Sequence, residues 1–159
     1  MKVLLAVDGS PCSNEAIEEI ARRPWPQGSE IEVLTAFELP LPPPPETWAG
    51  PPTYYDELDR VAAEQARSLV AQVVTKVGSA IGSAANVKGK FAPGPARSVI
   101  LDEAESWGAD LIVVGSHGYC GWERFLLGSV SQSVVSHAKC SVEVVRCPKH
   151  EGHPEESSA

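Results

Sequence analysis

The stretch LIVVGSHG occupies residues 111–118, and GSV follows nine residues later at residues 128–130. The apolar run at 111–114 is typical of a strand that is buried on both faces of a parallel sheet. Beyond the glycines, one predicted helix face carries Val130, Val134, Val135 and Ala138. Together these features predict a phosphate cradle, because glycine lets backbone N–H groups approach an anion and a helix N-terminus adds further donors.

Strand-like and helix-like segments alternate along the rest of the chain. We predict strands over residues 2–8, 31–37, 87–91, 111–115 and 142–146, and helices over 11–23, 55–79, 94–108 and 129–139. Ser10 followed by Pro11 is typical of a helix start. The alternation predicts an α/β fold, a single doubly wound five-stranded parallel sheet with helices on both faces. The third strand is short and polar, which favours an edge position.

In such a sheet the ligand lies beyond the carboxyl ends of the strands, where the strand order reverses. If the first and fourth strands are neighbours, the turn after Asp8 meets the loop after Gly115 at that place. Asp8 either caps local amides or serves a ligand, by accepting from a ribose hydroxyl or binding the water of a metal ion. The Ser129 hydroxyl would reach a phosphate or its magnesium ion. Backbone donors to the phosphate would come from Gly115, Gly118, Gly128 and Ser129.

Ser116 and His117 are adjacent in the loop. Neighbours in a tight loop tend to point apart, and no nearby carboxylate orients the imidazole, so we do not expect a nucleophile–base pair. His117 is interpreted as a loop or ligand contact, and no catalytic residue is assigned. The only permanent cation of the loop is Arg124, whereas phosphoryl transfer usually places Lys or Arg on the terminal phosphate.

The composition of the chain indicates which partners and which compartment are expected for the protein. The chain has 159 residues, enough for one domain, and its 13 basic and 21 acidic residues give a formal net charge of −8. This charge disfavours a nucleic-acid surface, and no apolar run is long enough to span a membrane. Cys140 and Cys147 flank one predicted strand on opposite faces and are not expected to pair. With Cys12 and Cys120 they are interpreted as reduced thiols of a cytoplasmic protein.

Two segments depart from the alternation. Residues 39–55 are rich in proline, with Trp48, Tyr54 and Tyr55 interleaved. Such a loop is a surface excursion, a lid over the ligand site or a proline-motif docking segment, and all three meanings remain open. The polar tail at 148–159 is predicted to be disordered. Cys147, His150 and His153 have a spacing that could hold a metal ion, but a polar tail that happens to contain two histidines is the favoured interpretation, and no metal is predicted. The predicted domain therefore covers residues 1–147.

With these residues in view, the chain resembles the universal stress protein family over about residues 1–147. The resemblance is carried by VLLAVDGSPCSNEAI at residues 3–17, by FAPGPARSVILDEAESWGADLIVVGSHG at 91–118 and by LLGSVSQSVVSHAKCSVEVVR at 126–146. The ATP-binding branch of the family is marked by G-x2-G-x9-G-[S/T]. Gly115, Gly118, Gly128 and Ser129 fit this pattern in spacing and type.

The resemblance implies a sheet order of 3-2-1-4-5, which would place strands one and four side by side. It also implies that Asp8 contacts the ribose, that the Ala36 backbone reads adenine, and that Val130 follows the serine as in the family. Family members commonly dimerise through their last strand, here residues 142–146, whose valines suit an exposed edge.

We therefore expect an ATP-binding regulatory protein of the stress-response type, a cytoplasmic homodimer with at most slow ATP hydrolysis. One alternative is a genuine ATPase or phosphotransferase. Another is an interaction module that docks partners through the prolines at 42–45 and carries a vestigial nucleotide site. A response-regulator receiver shares the fold but needs an acceptor aspartate after strand three, where this chain has Phe91, Ala92 and Pro93.

Overall fold

The computed structural model of the chain describes residues 1–38, 53–118 and 127–147. The segment 39–52 of the predicted proline-rich loop, the residues Cys120 and Arg124, and the tail at 148–159 lie outside the described residues. In the described part of the chain, none of the helices combines the length and the apolar character that crossing a bilayer requires.

Strands and helices alternate as predicted. In chain order the elements are β1 (Lys2–Ala6), α1 (Pro11–Arg22), β2 (Ser29–Phe37), α2 (Thr53–Ile81), β3 (Ala85–Pro93), α3 (Ala96–Trp107), β4 (Leu111–Gly115), α4 (Ser129–His137) and β5 (Ser141–Val145), with one 3-10 turn at Gly82–Ala84. All pairings are parallel, and the sheet order is β3-β2-β1-β4-β5. Both the α/β fold class and the order 3-2-1-4-5 are thereby confirmed, with β3 at one edge and β5 at the other.

The sheet is covered on both faces because successive side chains of its central strands point in opposite directions. On one face Val3 and Leu5 of β1 pack in a cluster with residues of α1 and α2, including Ile17 and Val73. On the other face Leu4 and Ala6 pack in a cluster with residues of α3 and α4, including Ile100 and Val134. A strand that is apolar on both faces therefore marks the centre of the sheet, as the sequence indicated.

Several boundaries and faces differ from the prediction. β1 ends at Ala6 rather than at residue 8, and α2 begins at Thr53, inside the predicted loop. Val61 is exposed, whereas the buried apolar residues of the 29-residue α2 lie later in the helix, at Ala66, Val70, Val73 and Val77. Val135 is also exposed, because it lies about 100° around the helix axis from the buried Val134.

The predicted start of α1 is confirmed. Ser10 is the N-cap, Pro11 is in the first turn, and the Ser10 Oγ accepts a hydrogen bond of 3.3 Å from the Ser13 N–H. This side chain satisfies one of the donors that a helix start leaves without an intrahelical partner.

The expectation of reduced thiols is wrong for two of the cysteines. Cys12, in the first turn of α1, forms a disulfide with Cys147, which follows β5, and their Cα atoms lie 4.8 Å apart. Cys140 is a free thiol. The cysteines that pair are 135 positions apart in sequence, and local spacing carries no information on a contact that only the folded sheet creates.

A charge cluster with two covered carboxylates and two exposed lysines joins β2, β3 and α3. Glu32 is only 4% exposed, and its carboxylate accepts from the Lys88 Nζ at 2.8 Å. The Lys88 ammonium also lies 4.4 Å from the ring centroid of Trp107. Lys90 forms an ion pair with Glu103 of α3.

The two carboxyls of this cluster shift in opposite directions. Burial raises the pKa of Glu32 and the neighbouring Glu103 raises it further, although Lys88 opposes the change. Burial also acts to raise the pKa of Glu103, but hydrogen bonds from Lys90 and Glu32, together with the charges of Lys90 and Lys88, outweigh it and lower that pKa. The pair therefore keeps a proton on Glu32 to a higher pH than an isolated carboxyl does.

We predict a specific pH dependence of stability for this pair. Above pH 4.5, the ordinary carboxyl value, native Glu32 retains a proton that the unfolded chain has released, so its contribution to the free energy of unfolding declines as the pH rises. Below pH 4.5 the lowered pKa of Glu103 makes stability decline as the pH falls. Glu32→Gln should remove the first slope and keep the part of the second that Lys90 and Lys88 sustain, as measured by urea unfolding from pH 3 to pH 8.

The matched control is Glu30→Gln, two residues earlier on β2 and outside the cluster, which should keep both slopes. A Glu32→Gln variant whose stability still declines from pH 4.5 towards neutrality at the wild-type rate would contradict the assignment.

Candidate functional site

A cavity of about 480 Å³ opens at the carboxyl ends of β1 and β4, where the strand order reverses. Its walls come from the ends of three adjacent strands, from α3 and α4, and from the turns after β1 and β4. The sequence predicted a ligand site at this place, because parallel strands direct their following loops to the same edge of the sheet.

The predicted site residues converge on this cavity. Those that line it are Asp8, Ala36, Gly115, His117, Gly118, Gly128, Ser129 and Val130. Ser116 does not line it; its side chain is 4% exposed and points into the protein. The lining also includes residues that sequence reasoning did not select, among them Ser13, Ala96, Ile100 and Ser131.

One part of the cavity wall is apolar. Ala6, Leu34 and Val114 contribute from the strands, Ile100 contributes from α3, and Val130 contributes from α4. Ala36, near the end of β2, borders the same space. A small residue at this position leaves room between the sheet and α3 for a flat apolar group.

Another part of the cavity wall is lined by backbone groups at the start of α4. α4 begins at Ser129 after the N-cap Gly128, and within the described residues no side chain caps this helix end. Its first N–H groups therefore point towards the cavity mouth with the partial positive charge of a helix N-terminus. An anion bound there would replace the missing cap.

Hydrogen bonds close the base of the loop between β4 and α4. The Gly128 N–H donates to the Ser116 carbonyl at 2.8 Å. The Ser131 Oγ lies 2.9 Å from the same carbonyl and 2.9 Å from the Gly128 carbonyl. Ser131 thus holds the two ends of the loop together. Its position two residues after Ser129, at the start of α4, was the only sequence signal for this role.

The glycines are required chiefly by close contacts. A Cβ at Gly115 would lie 2.8 Å from the Cys12 carbonyl carbon and 2.8 Å from the Ser13 nitrogen, which is closer than real Cβ atoms approach. At Gly128 it would lie 3.2 Å from the Ser116 carbonyl oxygen. The sequence predicted that these glycines let the backbone approach a ligand. The structure shows that they also let two backbone segments of the protein lie close together.

Asp8 has the first of the two roles that the sequence left open, because it caps a local amide, and it also lies at the cavity. Its Oδ1 accepts from the Ser10 N–H at 2.9 Å, and its own N–H donates to the Ser13 Oγ at 3.2 Å. The residue is exposed and lines the cavity. Its Oδ2 faces Gly118, where an added Cβ would lie 3.0 Å away. In the part of the chain that the structure describes, this second oxygen has no hydrogen-bond partner.

Ser116 and His117 do not point apart, contrary to expectation. The Ser116 Oγ lies 3.2 Å from the His117 Nδ1 and donates to the Cys12 Sγ at 3.7 Å. The turn of the backbone after β4 brings the two side chains together. Within the described residues no carboxylate is hydrogen-bonded to the His117 ring, so the third member of a nucleophile–base arrangement is lacking there.

Cation binding by protein side chains alone is not supported in the described ranges. There, no group of three or more His, Cys, Asp or Glu side chains is placed to hold a metal ion. The His150 and His153 that follow Cys147 lie outside these ranges.

Comparison with known proteins identifies relatives along the chain. The sequence pattern of the universal stress protein family matches residues 1–146. Universal stress protein A homolog 2 from Coxiella burnetii is 55% identical over 53 residues, which are 33% of this chain and 36% of that protein. The chain thus spans about a third of that relative. A universal stress protein from Thermus aquaticus is 33% identical over 144 residues, 91% of this chain and 97% of that protein.

Solved structures share the fold. Universal stress protein UspA from Lactobacillus plantarum has a TM-score of 0.74 and 26% identity, with 92% of this chain and 97% of that chain covered. A universal stress protein family protein from Arabidopsis thaliana with AMP bound has a TM-score of 0.67 at 20% identity, covering 98% and 97%. A universal stress protein in complex with cAMP has a TM-score of 0.60 at 20% identity, covering 93% and 98%.

The hydrogen bonds of Ser131 predict a measurable effect of its removal. Ser131→Ala should lower the free energy of unfolding by about 1–2 kcal/mol, because the mutation removes a buried hydroxyl whose single proton is shared between two carbonyl oxygens. It should also speed amide hydrogen exchange at Gly128, whose N–H closes the loop. Ser136→Ala is the matched control, since its hydroxyl bonds a carbonyl on the exposed face of the same helix, and its effect should stay within about 0.5 kcal/mol. Equal effects of the two substitutions would contradict the role given to Ser131.

Proposed function

This chain belongs to the universal stress protein family, and on that premise we propose that its cavity binds an adenine nucleotide, with ATP as the ligand. The observation that carries the proposal is the uncapped N-terminus of α4, which stands at the mouth of a cavity beside the three glycines of the spacing G-x2-G-x9-G-S. This spacing is the mark of the ATP-binding branch. The bound AMP and cAMP of two structural neighbours support the choice of an adenine nucleotide.

The cavity has two chemically different parts that suit the two ends of a nucleotide. The base would lie in the apolar part beside the Ala36 backbone, and the ribose would lie against the free oxygen of Asp8. The phosphates would lie over Gly115, Gly118 and the α4 N-terminus. The volume of about 480 Å³ falls within the usual range for small-molecule sites, about 300–1,000 Å³.

The electrostatics of the cradle favour holding the nucleotide over transferring its phosphate. Among the described residues that line the cavity, none is Lys or Arg. Neutral N–H donors bind phosphate in its ground state, but a cation usually stabilises the charge that develops on phosphoryl transfer. We therefore infer a nucleotide-dependent switch with at most slow hydrolysis. A magnesium ion would be held mainly by phosphate oxygens and water, with Asp8 and the Ser129 hydroxyl as the nearest protein oxygens, and would offset phosphate charge.

The proposal includes a cytoplasmic homodimer formed through residues 142–146. In the described part of the chain β5 pairs only with β4, which leaves one side of its backbone open. Antiparallel pairing with a second copy would satisfy those N–H and C=O groups. Val142 and Val144 are only partly covered within one chain.

The nucleotide proposal predicts that filling the apolar part of the cavity weakens binding. In calorimetric titration the wild-type protein should bind ATP, and Ala36→Leu should weaken that binding at least tenfold, because the added side chain occupies the place of the base. Ala71→Leu, an equal change at an exposed position of α2, should leave the affinity unchanged.

The same titrations discriminate the alternatives. The proposal is contradicted if the wild-type protein shows no binding at millimolar ATP and mass spectrometry finds no adenine nucleotide released on its denaturation. Fast magnesium-dependent turnover would favour an ATPase.

For the dimer, sedimentation equilibrium at micromolar concentration should show a species of two chains, since paired edge strands bury both open backbones. A single chain at all concentrations would contradict pairing through β5.

A further inference from the structure

The disulfide lies directly behind the cavity wall without lining it. Cys12 is in the first turn of α1 and is 8% exposed, and Cys147 follows β5. Neither residue lines the cavity. The bond therefore connects a helix start and a strand end that stand on either side of the carboxyl end of β4.

Both elements that the disulfide connects, α1 and β5, contact the residues at the end of β4. On the β5 side, the Ser116 N–H donates to the Val145 carbonyl at 2.7 Å. On the α1 side, the Ser116 Oγ donates to the Cys12 Sγ at 3.7 Å, and the backbone of Cys12 touches Gly115. The two flanks of the Gly115–Ser116 segment are thus joined by one covalent bond.

The first turn of α1 also positions groups that do line the cavity. Ser13 accepts from the Asp8 N–H at 3.2 Å, and the Ser10 Oγ donates to the His117 carbonyl at 3.3 Å. Asp8 and His117 line the cavity on opposite loops. A shift of this turn would therefore move both loops.

We propose that the Cys12–Cys147 disulfide is a reversible thiol–disulfide switch that sets the affinity of the cavity for its nucleotide. The inference rests on the proposed function, since it names the regulation of that same site. In a cytoplasmic protein a disulfide is usually transient and serves redox sensing rather than permanent stability. The oxidised form binds more tightly, because the bond holds the two loops in the arrangement that the nucleotide needs.

The chemistry of the switch is thiol–disulfide exchange with a low-molecular-weight thiol, RSH. The thiolate RS⁻ attacks the Sγ of Cys147, the more exposed of the two residues, forms a mixed disulfide and releases Cys12 as a thiolate. Ser116 already points its hydroxyl at that sulfur and stabilises the leaving thiolate. A second RS⁻ attacks the sulfur of the mixed disulfide, releases Cys147 as a thiolate and leaves as RSSR. Each protein thiolate takes up the proton that an RSH molecule lost, and the reverse reaction with RSSR restores the bond.

The test compares the oxidised full-length chain with the same protein reduced by dithiothreitol, both titrated with ATP by calorimetry. Reduction should weaken binding about tenfold, within the usual span of coupling between two sites. Cys147→Ser should bind with the affinity of the reduced protein whether or not dithiothreitol is present. The double variant Cys120→Ser/Cys140→Ser, which lacks the other two cysteines, should keep the full redox response.

Thermodynamic linkage between ATP binding and reduction of the disulfide supplies a second measurement. A disulfide with a purely structural role would show no effect of ATP on its reduction. If the bond strengthens ATP binding tenfold, saturating ATP must shift the equilibrium constant for reduction of the bond tenfold towards the disulfide. This is measured by trapping free thiols in glutathione buffers of graded composition, with and without ATP.

The outcomes separate the inference from the function on which it rests. Binding of equal affinity to the oxidised and reduced forms, or a Cys147→Ser variant that still responds to dithiothreitol, overturns the switch alone. Absence of ATP binding to both forms overturns the proposed function and the switch with it. A tenfold difference together with the matching shift in the exchange equilibrium supports both.

Discussion

The contact between the end of β4 and the first turn of α1 is the constraint on which the site depends. Gly115 has no Cβ, so the backbones of Cys12 and Ser13 lie directly against it. That approach places the turn after β1 opposite the loop after β4 and leaves the cavity between them. A larger residue at position 115 would separate the two loops, and the groups that face each other across the cavity would no longer share one ligand.

The contact can form because β1 and β4 are neighbours at the centre of the sheet. Their pairing, Val3 with Leu111 through Ala6 with Val114, ends both strands at one level. Burial of both faces under helices makes this pairing rigid. The loops that follow can then depart from regular structure while their first and last residues stay fixed. The site thus combines a rigid base with backbone donors, and it uses few charged side chains among the described residues.

Much of this was predictable from the sequence, for a physical reason. The two strands at the centre, β1 after Lys2 and β4, are built of apolar residues and glycine, helices start at recognisable caps such as Ser10, and the glycine spacing marks the loop after β4. What failed depends on distant contacts. The pairing of Cys12 with Cys147 is created by the folded sheet, and the contact of Ser116 with His117 depends on how one turn bends. The start of α2 was not predicted because it directly follows a proline-rich segment that is typical of a loop.

The two edge strands of the sheet differ in the side chains that they carry, and this difference would limit how copies of the chain could assemble. β3 presents Lys88 and Lys90, which oppose the approach of another strand, and both are held by carboxylates. β5 presents valines instead. If two copies pair through β5 as proposed, the combined sheet would have lysine-bearing strands at both ends. Such an assembly would close at ten strands and would not grow into a fibre.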